Sequence, residues 1–175
     1  MYKTNDLLIY KKDVCKVKEI KEKYLRDTDY YVLSPITDES LTIQVPIDSK
    51  AIRNIINKEE VNLIINKIPK IDIIKSDAKI LENEYKALMQ NGTHEDLIKI
   101  IKTTYLRNEE RLANNKKTAD KDNRYFEEAE SYLYHEFSIS LNLPYDSVKQ
   151  YIIDTLSKWF INIIYMLNSY IQNIN

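Results

Sequence analysis

Tyr30-Tyr31-Val32-Leu33-Ser34-Pro35-Ile36-Thr37-Asp38-Glu39-Ser40-Leu41-Thr42-Ile43-Gln44-Val45-Pro46 reads as two β-strands around a polar turn, closed by a proline and followed at once by helical sequence. Leu41, Ile43 and Val45 alternate with Thr42 and Gln44, the period-two pattern of a strand with one buried face. A strand so placed offers an exposed sheet face and an edge. Upstream, Leu7 and Ile9 alternate with Leu8 and Tyr10, and Val14, Cys15, Val17 and Ile20 continue in short extended pieces. Residues 2 to about 46 are therefore expected to form a small barrel or a curled antiparallel sheet of three or four strands.

From Asp48 the period changes. Ile52, Ile55 and Ile56, then Val61, Ile64 and Ile65, recur at helical spacing, which predicts two short helices after the sheet. Pro69 and the Lys70-Ile71-Asp72-Ile73-Ile74-Lys75 segment interrupt that pattern, so a linker is expected at 68–76, dividing the chain into 1–70 and 71–175. Beyond it everything reads helical: 77–90, 94–113, 120–141 and 144–172. Asn91-Gly92 supplies a left-handed stop, and Thr93 with Asp96 three positions on supplies a capped start. Asn114 to Thr118 forms a polar hinge, and Pro144 suits the first turn of the last helix.

With 175 residues, 43% apolar and 30% charged, the chain has the means to bury a core. A net charge of −1 gives no global reason to bind nucleic acid. Cys15 is the lone cysteine, which excludes an internal disulfide, and the two histidines, His94 and His135, are too few and too far apart for a metal cluster, so no metal and no cofactor are expected. No secretory leader is visible, and a cytoplasmic setting is the default expectation. No nucleophile motif, phosphate loop or pair of acids stands at telling positions, so no enzymatic activity is expected. His135, beside Glu136 on the helix whose expected core face is Phe126, Ala129, Leu133 and Phe137, lacks a nucleophile pattern. Tyr125, Tyr132 and Tyr151 read as packing residues with a wet hydroxyl, and Cys15 as a small core hydrophobe.

In order along residues 2–155, these features resemble the CarD/CdnL family of bacterial transcription regulators, whose N-terminal module also occurs in transcription-repair coupling factors. The resemblance is carried by Tyr2, Asn5-Asp6, Leu8-Leu-Ile-Tyr10, Asp13-Val14 and Cys15-Lys-Val-Lys-Glu-Ile20, then by Tyr-Tyr-Val-Leu at 30–33, Ile-Gln-Val-Pro at 43–46 and Ile52-Arg53. In the second half it is carried by Asn91-Gly92, by 97–107 and by Glu128-Ala-Glu-Ser-Tyr-Leu-Tyr-His-Glu-Phe137. Asn5 and Asp13 stand where the family has glycines, and Asp77-Ala78-Lys79-Ile80-Leu81 stands where many members carry a tryptophan and arginines. The resemblance implies an α+β protein: a Tudor- or SH3-like β-module followed by an all-α helical domain. It further implies that the first module binds the β subunit of RNA polymerase by strand addition, over a surface including Lys23, Thr42, Gln44, Pro46 and Arg53. An ordinary solvated sheet face, with Arg53 paired to a local carboxylate, is the plain alternative.

For promoter DNA the helix 94–113 is the best candidate. At 100° per residue, Leu97, Ile98, Ile101, Tyr105 and Leu112 gather on one face and Lys99, Lys102, Arg107 and Arg111 on the other. Lys116, Lys117, Lys121 and Arg124 follow, so 97–126 holds eight Lys/Arg against four Asp/Glu, a local +4. The competing expectations are a solvated charged face and a protein–protein adaptor that leaves DNA alone. In the last helix Val148, Ile152, Thr155, Leu156, Trp159, Ile163, Met166 and Tyr170 form a stripe that Phe160, Ile161 and Ile164 widen. This predicts burial on more than one side, against its own domain and against a second copy. Asp154, Lys158, Asn162 and Asn168 interrupt the apolar run and speak against a membrane span.

Overall fold

The computed structural model describes residues 1–172, with side chains at all of them except Ala78, Lys79 and 159–172. Five strands come first: β1 (Leu7–Tyr10), β2 (Asp13–Leu25), β3 (Thr28–Pro35), β4 (Ile43–Pro46) and β5 (Ile52–Arg53). They form one antiparallel sheet in the order β4-β3-β2-β1-β5, which does not close on itself among the described residues. Residues 30–46 hold most of the β3–β4 pair, with Tyr31 opposite Val45 and Leu33 opposite Ile43. Register shifts along β2, after Val17 and after Lys21, let the strand bend so that the sheet curls without closing.

Two hairpin turns use left-handed residues other than glycine. Arg26 and Asp27 (φ 50° and 58°) make the two-residue turn between β2 and β3, the type I′ geometry that matches strand twist. Asn5 is left-handed (φ 74°), and the next such residue is Lys11 (φ 59°), while Asp13 opens β2 in extended backbone.

The expectation of two helices after the sheet is corrected. Ile52 and Arg53 form β5, which pairs with β1 through Ile9 and Tyr10. A two-residue edge strand is too short to show a period, so its isoleucines lent themselves to the helical pattern that follows. One helix, α1 (Lys58–Lys67), then starts at Asn57, whose side chain accepts from the Glu60 N–H while the Glu60 side chain accepts from the Asn57 N–H.

The 68–76 segment is a 3₁₀ turn (Ile68–Lys70) and an extended run that buries Ile71 and Ile74. It is an ordered part of the helical core. Four more helices follow among the described residues: α2 (Ala78–Asn91), α3 (His94–Ala113), α4 (Asp120–Leu141) and α5 (Tyr145–Gln172). Gly92 ends α2 in the left-handed region (φ 66°), and Thr93 with Asp96 makes a reciprocal cap on α3.

Leu8, Cys15, Val17, Tyr31, Leu33 and Val45 form one hydrophobic cluster inside the curled sheet. A second gathers Ile71, Ile74, Leu81, Tyr85, Met89, Leu97, Ile100, Ala129, Leu133, Phe137 and Val148 from the helices, and α1, expected with the sheet, contributes Val61 and Ile65 to it. Leu8 and Ile9 point to opposite faces of the sheet, yet both are fully buried, because the second face is covered where β2 meets α4.

Candidate functional site

Strand β4 has no neighbour on its outer side among the described residues. Ile47 donates its N–H to Asp29 O at 3.1 Å, continuing the β3–β4 register. Bonded and non-bonded pairs alternate in an antiparallel ladder. Val45 and Ile43 therefore bond to β3, and Gln44 turns its N–H and C=O outward. Pro46 occupies the next outward position, where its missing donor leaves the ladder intact. Gln44 and Thr42 are exposed, and Thr42 precedes the strand that the alternation had begun at Leu41, itself 48% exposed. Lys23 lies at the β2–β3 tip, its N–H donated to Asp29 Oδ1 (2.8 Å) and its Nζ 3.7 Å from Asp27. Asp29 thus ties the tip to the end of β4 that carries Pro46.

Arg53 stands apart from that rim, on the opposite edge strand. It forms a bidentate pair with Glu136 of α4: Nη1 to Oε1 at 2.5 Å and Nη2 to Oε2 at 2.8 Å. The Glu136 carboxylate is buried, and it also accepts the Ile56 N–H (3.2 Å) and lies 2.8 Å from His94 Nε2, which must carry the hydrogen because a carboxylate only accepts. Burial pushes the Glu136 carboxyl upward, but the hydrogen bonds from Arg53 and His94 outweigh it and lower the pKa to about 2. Ser140 Oγ donates to Ile56 O nearby (2.7 Å). On the other side of the junction, Lys12 Nζ donates to Met89 O (3.2 Å) at the end of α2 and sits 4.7 Å over the Tyr132 ring. Sheet and helices are therefore held by two charged clamps.

The basic residues do not form one field. On α3 the buried side chains are Leu97, Ile98, Ile100, Thr103 and Thr104, whereas Tyr105 and Leu112 are 54% and 52% exposed. The apolar face is thus rotated from the expected one, because the 71–76 run lies along α3 and Thr103 Oγ1 accepts the Ile74 N–H (3.0 Å). Lys102 consequently points inward, with Nζ 2.9 Å from Ile68 O and 2.5 Å from Ile71 O. Arg107 Nε donates to the buried Asp122 (3.1 Å), which also accepts from the Tyr85 hydroxyl. Lys121 (2.6 Å) and Arg124 (3.9 Å) both turn to Glu82 of α2, whose carboxyl the Lys121 and Lys86 ammonium groups hold well below the usual range. Lys99 is half-buried beside Ile73, Lys75 and Glu84.

What remains grouped is the α3–α4 hinge. Asn115 (φ 54°) ends α3 with Asn115 N–H to Leu112 O and Lys116 N–H to Arg111 O, a Schellman motif that folds the chain back over the helix end. Arg111 Nε bonds Lys117 O (2.8 Å), and Arg107, Arg111 and Lys116 line one cleft with Glu110 and Asn114.

Cys15 is fully buried, and burial together with Asp13 pushes its thiol up to about 12. The Tyr151 hydroxyl donates to Asn62 of α1 (2.9 Å). On α5, Val148 and Ile152 are buried and Leu156 is partly so, while the expected stripe from Trp159 to Tyr170 lies outside the described side chains. Among the described residues no three His, Cys, Asp or Glu side chains group to hold a metal, and no helix is long and apolar enough to cross a membrane. The His94–Glu136–Arg53 cluster escaped the sequence because its members come from three elements with no fixed spacing. No protein-family model and no curated protein matches the chain.

Proposed function

We propose that the chain is a non-enzymatic regulator of bacterial transcription, acting in the cytoplasm, whose Tudor-like β-module binds the RNA polymerase β subunit and whose helical part reaches promoter DNA. The observation that carries this is the open β4 edge, where Gln44 offers an outward N–H and C=O beside the exposed Thr42 and the donor-free Pro46. A strand of the polymerase added there would gain backbone hydrogen bonds, with Lys23 at the neighbouring tip adding selectivity. DNA phosphates would meet Arg111, Lys116 and Lys117 at the hinge. A factor that prefers the open promoter complex shifts that equilibrium by its differential affinity and no further.

Pull-down of a polymerase β-lobe fragment by the full-length chain tests the first contact. Retention by the native chain and its loss in Gln44→Pro, which removes an outward donor without touching the β3 ladder, are expected. No retention by the native chain overturns the proposal.

An adaptor bound to polymerase without DNA is the second reading, favoured by one observation: Lys102, Arg107, Lys121 and Arg124 are already engaged by the protein's own carbonyls and carboxylates. Gel shifts on forked DNA at low and moderate salt separate the two. A complex that salt weakens and Lys116→Ala/Lys117→Ala weakens further supports DNA contact; its absence leaves the adaptor.

A further inference from the structure

Two guanidinium groups one helical turn apart near the end of α3 are each held through Nε. Arg107 Nε donates to the buried Asp122 Oδ2 at 3.1 Å, and Arg111 Nε donates to Lys117 O at 2.8 Å. The Nη atoms of both have no hydrogen-bond acceptor among the described residues. Like charges at this spacing on a helix oppose each other. Lys116 adds a third cation to the same cleft, where Glu110 is the one acid among the described lining residues.

The ordinary reason for cations at the end of a helix is to meet its last carbonyls. Here other donors meet them. Glu110 O accepts from the Asn114 N–H (3.2 Å) and from Asn114 Nδ2 (2.8 Å), Arg111 O from the Lys116 N–H (2.8 Å), and Leu112 O from the Asn115 N–H (2.9 Å). The guanidinium forks are therefore not needed as caps, and what they lack is an acceptor from outside the chain. A guanidinium presents its donors in a fixed plane that matches the oxygens of a phosphate. The cleft measures about 150 Å³, room for one phosphate group but not for a stretch of backbone. A nucleic-acid backbone is met by a row of cations, and the next ones along the chain, Lys121 and Arg124, turn away to Glu82.

We propose that the α3–α4 hinge cleft binds the phosphate group of a small anion, free phosphate or a phosphomonoester, between the Arg107 and Arg111 forks and the Lys116 ammonium. Asp122 and the Lys117 carbonyl orient the two forks by holding their Nε atoms. An ion seated there takes Arg111 and Lys116 away from promoter DNA, so the two ligands compete. That competition rests on the DNA contact proposed above, whereas the site itself rests on the cleft alone.

Isothermal titration calorimetry of the full-length chain at low ionic strength tests this, with inorganic phosphate in one arm and adenosine monophosphate in the other. Saturable one-to-one binding is expected; tighter binding of phosphate assigns the free ion, and tighter binding of adenosine monophosphate assigns a phosphomonoester. Arg107→Lys, which keeps the charge but loses the fork, and Lys116→Ala are each expected to weaken binding about tenfold, as loss of a charge-assisted hydrogen bond does. Lys149→Ala, which removes an exposed cation of α5, is expected to leave it unchanged. Lys116 is exposed, so its variant carries the test even where Arg107→Lys disturbs packing at Asp122. No binding of either anion, or binding that Lys149→Ala weakens as much as Lys116→Ala does, overturns the proposal. Neither arm contains DNA or polymerase, so a failed gel shift on forked DNA leaves the cleft standing, and a failed titration leaves the DNA contact to its own test.

Discussion

Arg53 and Glu136 lie 83 positions apart in sequence and meet through two hydrogen bonds of 2.5 and 2.8 Å, joining the last strand of the sheet to the middle of α4. Their pairing fixes where the β4 rim and the α3–α4 hinge stand relative to each other. The proposed function, contact with polymerase and DNA at once, would depend on that fixed relation.

Removing Arg53 leaves a buried carboxylate with His94 and one backbone donor. Breaking a buried pair from one side typically costs about 3–5 kcal/mol, and because Arg53 is 39% exposed the lower end applies to Arg53→Ala. Urea denaturation of Arg53→Ala and Glu136→Gln measures it, and both are expected to shift the midpoint down.

Acid acts on the same bond. The Glu136 carboxyl is lowered to about 2 in the folded chain against 4.5 for the free group, so the folded state binds fewer protons. Its contribution is complete above pH 4.5 and is lost as pH falls toward 2. Stability followed by denaturation between pH 6 and pH 2 is expected to fall in this window, and less steeply in Glu136→Gln.

Ile65 is fully buried in the helical cluster, whereas Leu63 on the same helix is 61% exposed. Ile65→Ala is expected to cost about 2–5 kcal/mol and Leu63→Ala within about 0.5 kcal/mol. Equal losses would mean that α1 does not pack Ile65 into the helical cluster against α4 and α5.

Cys15 is 0% exposed and its thiol is pushed up to about 12, so at neutral pH it is both covered and protonated. A thiol reagent is expected to leave the native chain unlabelled and to react fully once urea unfolds it. Rapid native labelling would show that the inside of the sheet is open.

Gly92 carries φ +66°, and an added Cβ would stand 3.4 Å from the Lys12 Cβ. Gly92→Ala is expected to destabilise by about 1 kcal/mol through the left-handed backbone alone. Thermal denaturation beside Thr93→Ala, a lost cap of about 1 kcal/mol, gives the comparison.

Local chemistry determined much of this protein before any tertiary contact. Alternation at Ile43 to Val45 marked a strand, Gly92 and Thr93 marked the α2–α3 break, and apolar spacing placed the three long helices, because each of these signals lies within a few residues of the structure it causes. Tertiary packing decided the rest. It drew Ile52 and Arg53 into an edge strand beside β1, turned Lys102 inward to the carbonyls of the 68–71 turn, and set Arg107, Lys121 and Arg124 against carboxylates, so that a charge run legible as +4 became several separate pairs. A side chain's sign can be read from one letter. Whether it meets solvent, a carbonyl or an opposite charge depends on what the fold brings beside it, and for Arg53 that neighbour lies 83 residues away.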